Sequence, residues 1–248
     1  MNMKKVVVLL CVAWMGAGAF GFSFMGPPTA ELEQAEWKAG YTFSYSELDI
    51  EGKEVSGGGD KYTFKDSEVT RHYFDLGYGL FKNFELNLLL GVASVETGDF
   101  DYDDGGSSPG DFDSSDDFSY GFNAKYTFVD GETIDWGTML QMTWLSGDGK
   151  WEGHDEEFEA YDLQIAVGPT IDMGGWDLYG GGYFYKLDGD LKAKDHGTRI
   201  WKDDLEEEDS YGGYVGAAFK IMKNTDLAVE CSFSRDTLGI GASIAWKF

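Results

Sequence analysis

The sequence predicts an all-β fold: a transmembrane up-and-down antiparallel β-barrel of about ten strands, with eight or twelve as the alternatives. Three observations predict it. Apolar residues recur with period two over long segments, the connections between those segments alternate between short and long, and bulky aromatics gather at two levels near the segment ends.

The chain opens with Lys4 and Lys5, an almost wholly apolar run from Val6 to Met15, and the small-residue site Ala17-Gly18-Ala19. This is the layout of a secretory signal peptide over residues 1–19, with cleavage before Phe20 and an apolar core too short to span a bilayer. Leu10 precedes Cys11 where a lipoprotein signal needs a small residue, so lipidation is not expected. Residues 20–35, with Gly26-Pro27-Pro28, read as a short periplasmic lead, and residues 36–248 as the barrel. After cleavage Cys231 is the one remaining cysteine, which excludes an internal disulfide. No later run approaches the ~20 apolar residues that a membrane helix needs. A formal charge of −26 makes nucleic acid a poor partner, since binding it relies on Lys and Arg contacts to phosphate.

The strands follow from the alternation. Trp37, Ala39, Tyr41, Phe43 and Tyr45 form the apolar face of the first; Phe74, Leu76, Tyr78 and Leu80 that of the second; Leu86, Leu88, Leu90 and Val92 that of the third. The fourth sets Phe118, Tyr120, Phe122, Ala124, Tyr126 and Phe128 against Ser119, Gly121, Asn123, Lys125 and Thr127. Ile134, Trp136, Leu140, Met142 and Trp144 define the fifth, and Tyr161, Leu163, Ile165, Val167 and Ile171 the sixth. Gly180, Gly181 and Gly182 blur the two faces of the seventh, near Trp176–Leu187. The eighth carries Tyr211, Val215, Ala217, Phe219 and Ile221, and the ninth Leu227, Val229, Cys231 and Phe233. The last runs through Leu238, Ile240, Ala242, Ile244, Trp246 and Phe248.

A soluble barrel would also alternate, with its apolar side inward. These segments, however, match or exceed the ~9–11 residues of a tilted membrane strand, whereas soluble strands are usually ~5–6. Lys82-Asn83, Asp130-Gly131, Met173-Gly174-Gly175 and Lys223-Asn224 make tight turns, and long polar connections lie around 51–66, 99–117, 147–157 and 188–209. Trp37, Phe81, Phe84, Phe128, Trp136, Trp176, Trp246 and Phe248 fall near the short-turn rim, and Tyr45, Phe118, Trp144 and Tyr211 near the other, as interfacial girdles do.

The final segment, Ile240-Gly241-Ala242-Ser243-Ile244-Ala245-Trp246-Lys247-Phe248, alternates and ends on Phe. It resembles the terminal strand of Gram-negative outer-membrane β-barrel proteins. The resemblance is one of architecture and covers nearly the whole exported chain. It implies an outer-membrane location, lipid and lipopolysaccharide as surroundings, and recognition of Trp246 and Phe248 by the barrel-assembly machinery.

With the apolar face on lipid, the other face lines the lumen and carries Arg71, Asp75, Lys125, Asp162 and Glu230. Buried charges of opposite sign should pair, giving a self-satisfied polar core; the alternative is a narrow hydrophilic pathway preferring cations. The inward glycines either leave space for water or make room for inward tyrosines such as Tyr73, Tyr179 and Tyr185. Asp99, Asp101, Asp103 and Asp104 crowd one outer connection and could hold a weakly bound calcium ion. They do not form an EF-hand, because Asp104 stands where the essential Gly belongs and Gly110 where the closing Glu belongs.

Enzymes of this architecture would show specific residues. A phospholipase resemblance needs a lipid-facing His–Ser pair, but Phe74 occupies the offset after His72. An omptin-like protease resemblance needs an Asp pair and an Asp–His pair at the rim; Asp99 and Asp101 with Asp195 and His196 have the wrong spacing, and Glu152-x-His154 lacks the Asp. The expected function is therefore a non-enzymatic barrel with a structural or surface-display role and long acidic outer connections, without a cofactor. A small cation-preferring, porin-like channel is the second reading, and an omptin-like protease a remote third. Placing Arg at Leu88 or Val229 should cost about 2–4 kcal/mol if these residues face the bilayer midplane. Urea titration of variants folded into vesicles checks this, and unchanged stability would overturn the assigned lipid face.

Overall fold

The computed structural model describes residues 23–54, 61–97, 100–102, 107–108, 114, 116–151, 154–195, 198–207, 211–235 and 237–248. The expected signal peptide lies outside them. The strands are β1 (Trp37–Glu54), β2 (Lys61–Phe81), β3 (Phe84–Glu96), β4 (Phe100–Tyr102), β5 (Ser107–Ser108), β6 (Asp117–Val129), β7 (Ile134–Trp151), β8 (His154–Asp172), β9 (Trp176–Asp195), β10 (Thr198–Glu207), β11 (Tyr211–Met222), β12 (Thr225–Phe233) and β13 (Leu238–Lys247).

Ten of them close a ring of antiparallel pairs, β1-β2-β3-β6-β7-β8-β9-β11-β12-β13, sealed by β13 on β1 from Lys38↔Lys247 to Glu47↔Leu238. Closure leaves no edge in the ring, so the backbone groups of its strands pair with their neighbours on both sides. All ten alternating segments are strands, and their apolar faces point outward: Phe74, Leu88, Leu90, Phe122, Ile165 and Val215 are 37–52% exposed on the wall. Expected rim aromatics including Trp37, Phe81, Phe118, Trp136, Tyr211 and Phe248 are exposed. Trp176 differs, because it stacks on its register partner Phe219 at 5.9 Å and is buried. The ambiguous seventh segment, β9, turns Tyr179, Tyr183 and Tyr185 inward. Turns at the lower rim are tight, with Asn83 in the left-handed region (φ 64°) between Phe81 and Phe84, a conformation that Asn tolerates.

The long polar connections are a correction. Much of 51–66, 147–157 and 188–209 is strand: β2 is 21 residues long, β9 is 20, and β7 and β8 stay paired up to Trp151↔His154. These lengths are about twice what a bilayer requires, so the wall continues well beyond it. β10 lies entirely within the last of these connections. It pairs with β9 down to Glu206↔Asp188, and β11 resumes at Tyr211↔Phe184, so the two continue each other along β9 with a one-residue slip.

The β12–β13 hairpin is short, and above it β10 pairs directly with β1, from Ile50↔Glu207 to Glu54↔Asp203. The upper sheet thus runs β5-β4-β2-β1-β10-β9-β8-β7. The inner side of this sheet, open between β5 and β7 among the described residues, is packed with apolar side chains. Leu48, Ile50, Tyr62, Phe64, Leu145, Phe158, Leu187, Leu191 and Leu205 fill it, each 5% exposed or less. Strand polarity is inverted here: Asp49, Glu51, Asp188, Asp190 and Lys192 alternate with these residues on the outside. Leu191→Ala should cost about 2–5 kcal/mol through the cavity it leaves in this cap. A urea midpoint unchanged from the parent would show that the cap is loosely packed.

Candidate lumen site

The lumen below the cap is occupied by the chain itself. Residues 20–35 are expected as a lead outside the barrel; in the structure the described part from Ser23 onward runs inside the lower lumen. The reason is physical: its backbone N–H groups find buried carboxylates there. Met25 and Gly26 donate to the two oxygens of Glu230 at 3.0 and 2.9 Å, and Glu31 and Leu32 donate to Glu85 Oε2 at 2.8 and 3.2 Å. Ala30 donates to Thr127 Oγ1 at 2.9 Å, and Thr29 and Thr170 share a hydroxyl contact of 2.8 Å. Met25 and Leu32 are buried. A turn at the rim, with Ala35 N donating to Gly79 O at 2.8 Å, leads into β1.

Inward glycines make the space. A Cβ on Gly79 would lie 1.8 Å from the Glu33 carbonyl oxygen, and one on Gly137 would lie 2.4 Å from that of Pro28. Other inward glycines accommodate tyrosines, as Gly216 does Tyr179. Both uses are packing.

The charges form two layers. In the lower one, Lys38 bridges Glu85 (2.7 Å) and Glu31 (3.4 Å), and Lys125 reaches Glu31 at 3.0 Å. Burial pushes the Glu31 carboxyl up, but the charges of Lys125 and Lys38 outweigh it and hold the group well below the usual carboxylate range. Higher up, Arg71 donates to Asp162 Oδ2 at 3.1 Å and to Ser46 Oγ at 3.0 Å, with both charged side chains fully buried. Tyr73 shares a 2.7 Å contact with Ser119 beside them. Asn123 donates to Gln141 at 2.9 Å, and Gln141 donates to the Phe24 carbonyl at 3.4 Å, tying the wall to the inner segment.

The five lumen charges expected from the sequence are therefore all inside. Arg71 and Asp162 pair with each other, Lys125 pairs with Glu31 of the inner segment, and Glu230 is held by that segment's backbone together with Tyr179 of β9. Asp75 keeps one buried oxygen, Oδ1, without a hydrogen-bond partner among the described residues, beside a cavity of about 40 Å3. Lys38, Glu85 and Glu31 were not singled out by sequence reasoning. Period two places Lys38 and Glu85 on the inward face, so their parity was the available signal; nothing in the pattern marks Glu31.

Of the candidate calcium residues, Asp99, Asp103 and Asp104 lie outside the described residues, as does His196. Asp101 sits on β4 opposite Thr63, with its side chain outside the described set. Among the described residues no group of three or more His, Cys, Asp or Glu side chains is placed to hold a metal ion. Trp246 and Phe248 lie at the seam, where Phe248 and Trp37 exchange backbone hydrogen bonds of 2.9 and 3.1 Å.

No family model matches the chain, and no curated protein matches it. Among solved structures, the fold is similar to the outer membrane protease OmpT from Escherichia coli, with 10% identity, a TM-score of 0.51, and coverage of 86% of this chain and 97% of that one. It is similar also to the outer membrane protein OprG from Pseudomonas aeruginosa, with 10% identity, a TM-score of 0.50, and coverage of 87% and 97%. At such identity the likeness concerns architecture alone. The chain has the architecture of the Gram-negative outer-membrane β-barrel proteins.

Proposed function

We propose that this protein is a non-enzymatic outer-membrane β-barrel with a structural and surface-display role: a closed membrane base carrying a rigid acidic sheet above the bilayer. One observation carries this reading. The lumen is filled from both ends, by the inner segment of residues 23–34 below and by the apolar cap of Leu48, Phe64, Leu187 and Leu191 above. A signal peptide at 1–19, insertion by the assembly machinery through Trp246 and Phe248, and lipopolysaccharide as the surrounding outer leaflet belong to the same reading. The similarity to a protease concerns the barrel alone.

The second reading, a small cation-preferring channel, draws on the polar cavity beside Asp75. The two differ in conductance. The protein refolded into a planar bilayer should be silent, with or without calcium. A variant lacking residues 23–34 should also be silent, because the apolar cap still closes the upper end. Discrete, reproducible cation-selective steps from the intact protein would overturn the closed reading.

A filled lumen also makes its charges part of stability. Arg71→Met should cost about 3–5 kcal/mol, since it leaves Asp162 buried without its partner, and Arg71→Met combined with Asp162→Leu should recover most of that. Urea titration of both variants checks this; equal loss in the single and double variants would contradict the pairing.

A further inference from the structure

The outer surface of the wall carries a cleft of about 390 Å3 where β7, β8 and β9 rise past the lipid-facing band. One side is Trp144, the end of a stacked aromatic series. Tyr120 lies against its indole at 5.2 Å and 15°, and Phe118 lies on Tyr120 at 5.8 Å and 26°. Beside Trp144 stands Tyr161, its register partner on β8. Its hydroxyl donates to Asp188 at 3.2 Å, and Lys186 donates to the same carboxylate oxygen at 2.7 Å. At the upper margin Glu159 is ion-paired with Lys192.

Asp188 has Lys186, and Lys192 serves both Glu159 and Asp190, so the lining carries one net negative charge. An anionic ligand would meet that negative charge and would have to displace a carboxylate from its lysine. What the cleft offers is an aromatic face beside a fringe of oxygen acceptors and ammonium and hydroxyl donors. That combination suits a neutral ring with an apolar C–H face and a hydroxyl-bearing edge, a pyranose. Immediately below, Phe122, Leu163 and Ile165 face outward into the apolar band. A sugar seated in the cleft and joined to acyl chains would find both halves of the surface matched.

We propose that this cleft binds the saccharide headgroup of a membrane glycolipid. The inference rests on the membrane reading above, and its test separates the two. The protein is refolded into phosphatidylcholine vesicles containing digalactosyl diacylglycerol or, in parallel, phosphatidylglycerol. Insertion is read from heat-dependent gel mobility, and retained lipid from native mass spectrometry after gentle extraction. The inserted protein should retain the digalactosyl lipid in preference to phosphatidylglycerol. Trp144→Ala should lower that retention about tenfold, as loss of a central aromatic contact does. Trp144→Phe should keep most of it, and Trp136→Ala at the opposite rim should leave it unchanged. A methyl digalactoside without acyl chains should compete weakly.

Failure to insert would remove the membrane reading and this inference together. Insertion without sugar preference, or equal retention by Trp144→Ala, would overturn the cleft assignment alone. Full competition by the methyl digalactoside would overturn the lipid source and leave a site for free saccharide.

Discussion

Two buried carboxylates, Glu85 on β3 and Glu230 on β12, each accept two backbone N–H groups from the segment that precedes the first strand. The rest of the lower barrel depends on this exchange. A carboxylate in a closed lumen has lost its water, and a strand-free segment inside a barrel has lost the hydrogen bonds of a sheet. Each deficit answers the other. Lys38 and Lys125 then balance the charge, and the inward glycines give the segment room.

The same strands obey opposite rules at two heights. In β1, Trp37, Tyr41 and Phe43 face outward below, whereas Leu48 and Ile50 face inward above, with Asp49 and Glu51 outside. In β1 the alternation is uninterrupted, while β2 opposite it shifts by one residue at a bulge beside Asp66; what changes is the solvent on the far side of the wall, hydrocarbon below and water above. The short β12–β13 hairpin narrows the ring at the height where polarity inverts. A ten-stranded base has space for a polar filling and an inserted segment, whereas the upper sheet packs interlocking apolar side chains.

Much of this was legible in the sequence. The ten barrel strands, their outward faces, the tight turns and the inward position of all five lumen charges follow from period two. The upper strands were legible in principle: Leu48-x-Ile50, Phe158-x-Ala160 and Leu187-x-Gly189-x-Leu191 alternate cleanly. They escaped because their acidic partners, such as Glu159 and Asp190, give these stretches the composition of loops when an outward apolar face is sought. The fate of residues 23–34 was not legible. Its contacts run through backbone N–H groups, which every residue but proline possesses, and through partners up to 205 positions away. The inward glycines recorded the missing volume, but Gly79 and Gly137 do not announce what fills it.

The inner segment also couples the two ends of the chain. Phe24 packs where a Cβ on Gly241 of β13 would come within 2.7 Å of it, and Met25 is tied to Glu230 on β12. The final hairpin of the chain therefore closes over its beginning. β13 is zipped onto β1 along ten residue pairs, and Lys38 of β1 and Lys125 of β6 both bridge to Glu31 of this segment. The seam is thus a clasp built over this segment, so a change at either one is felt by the other.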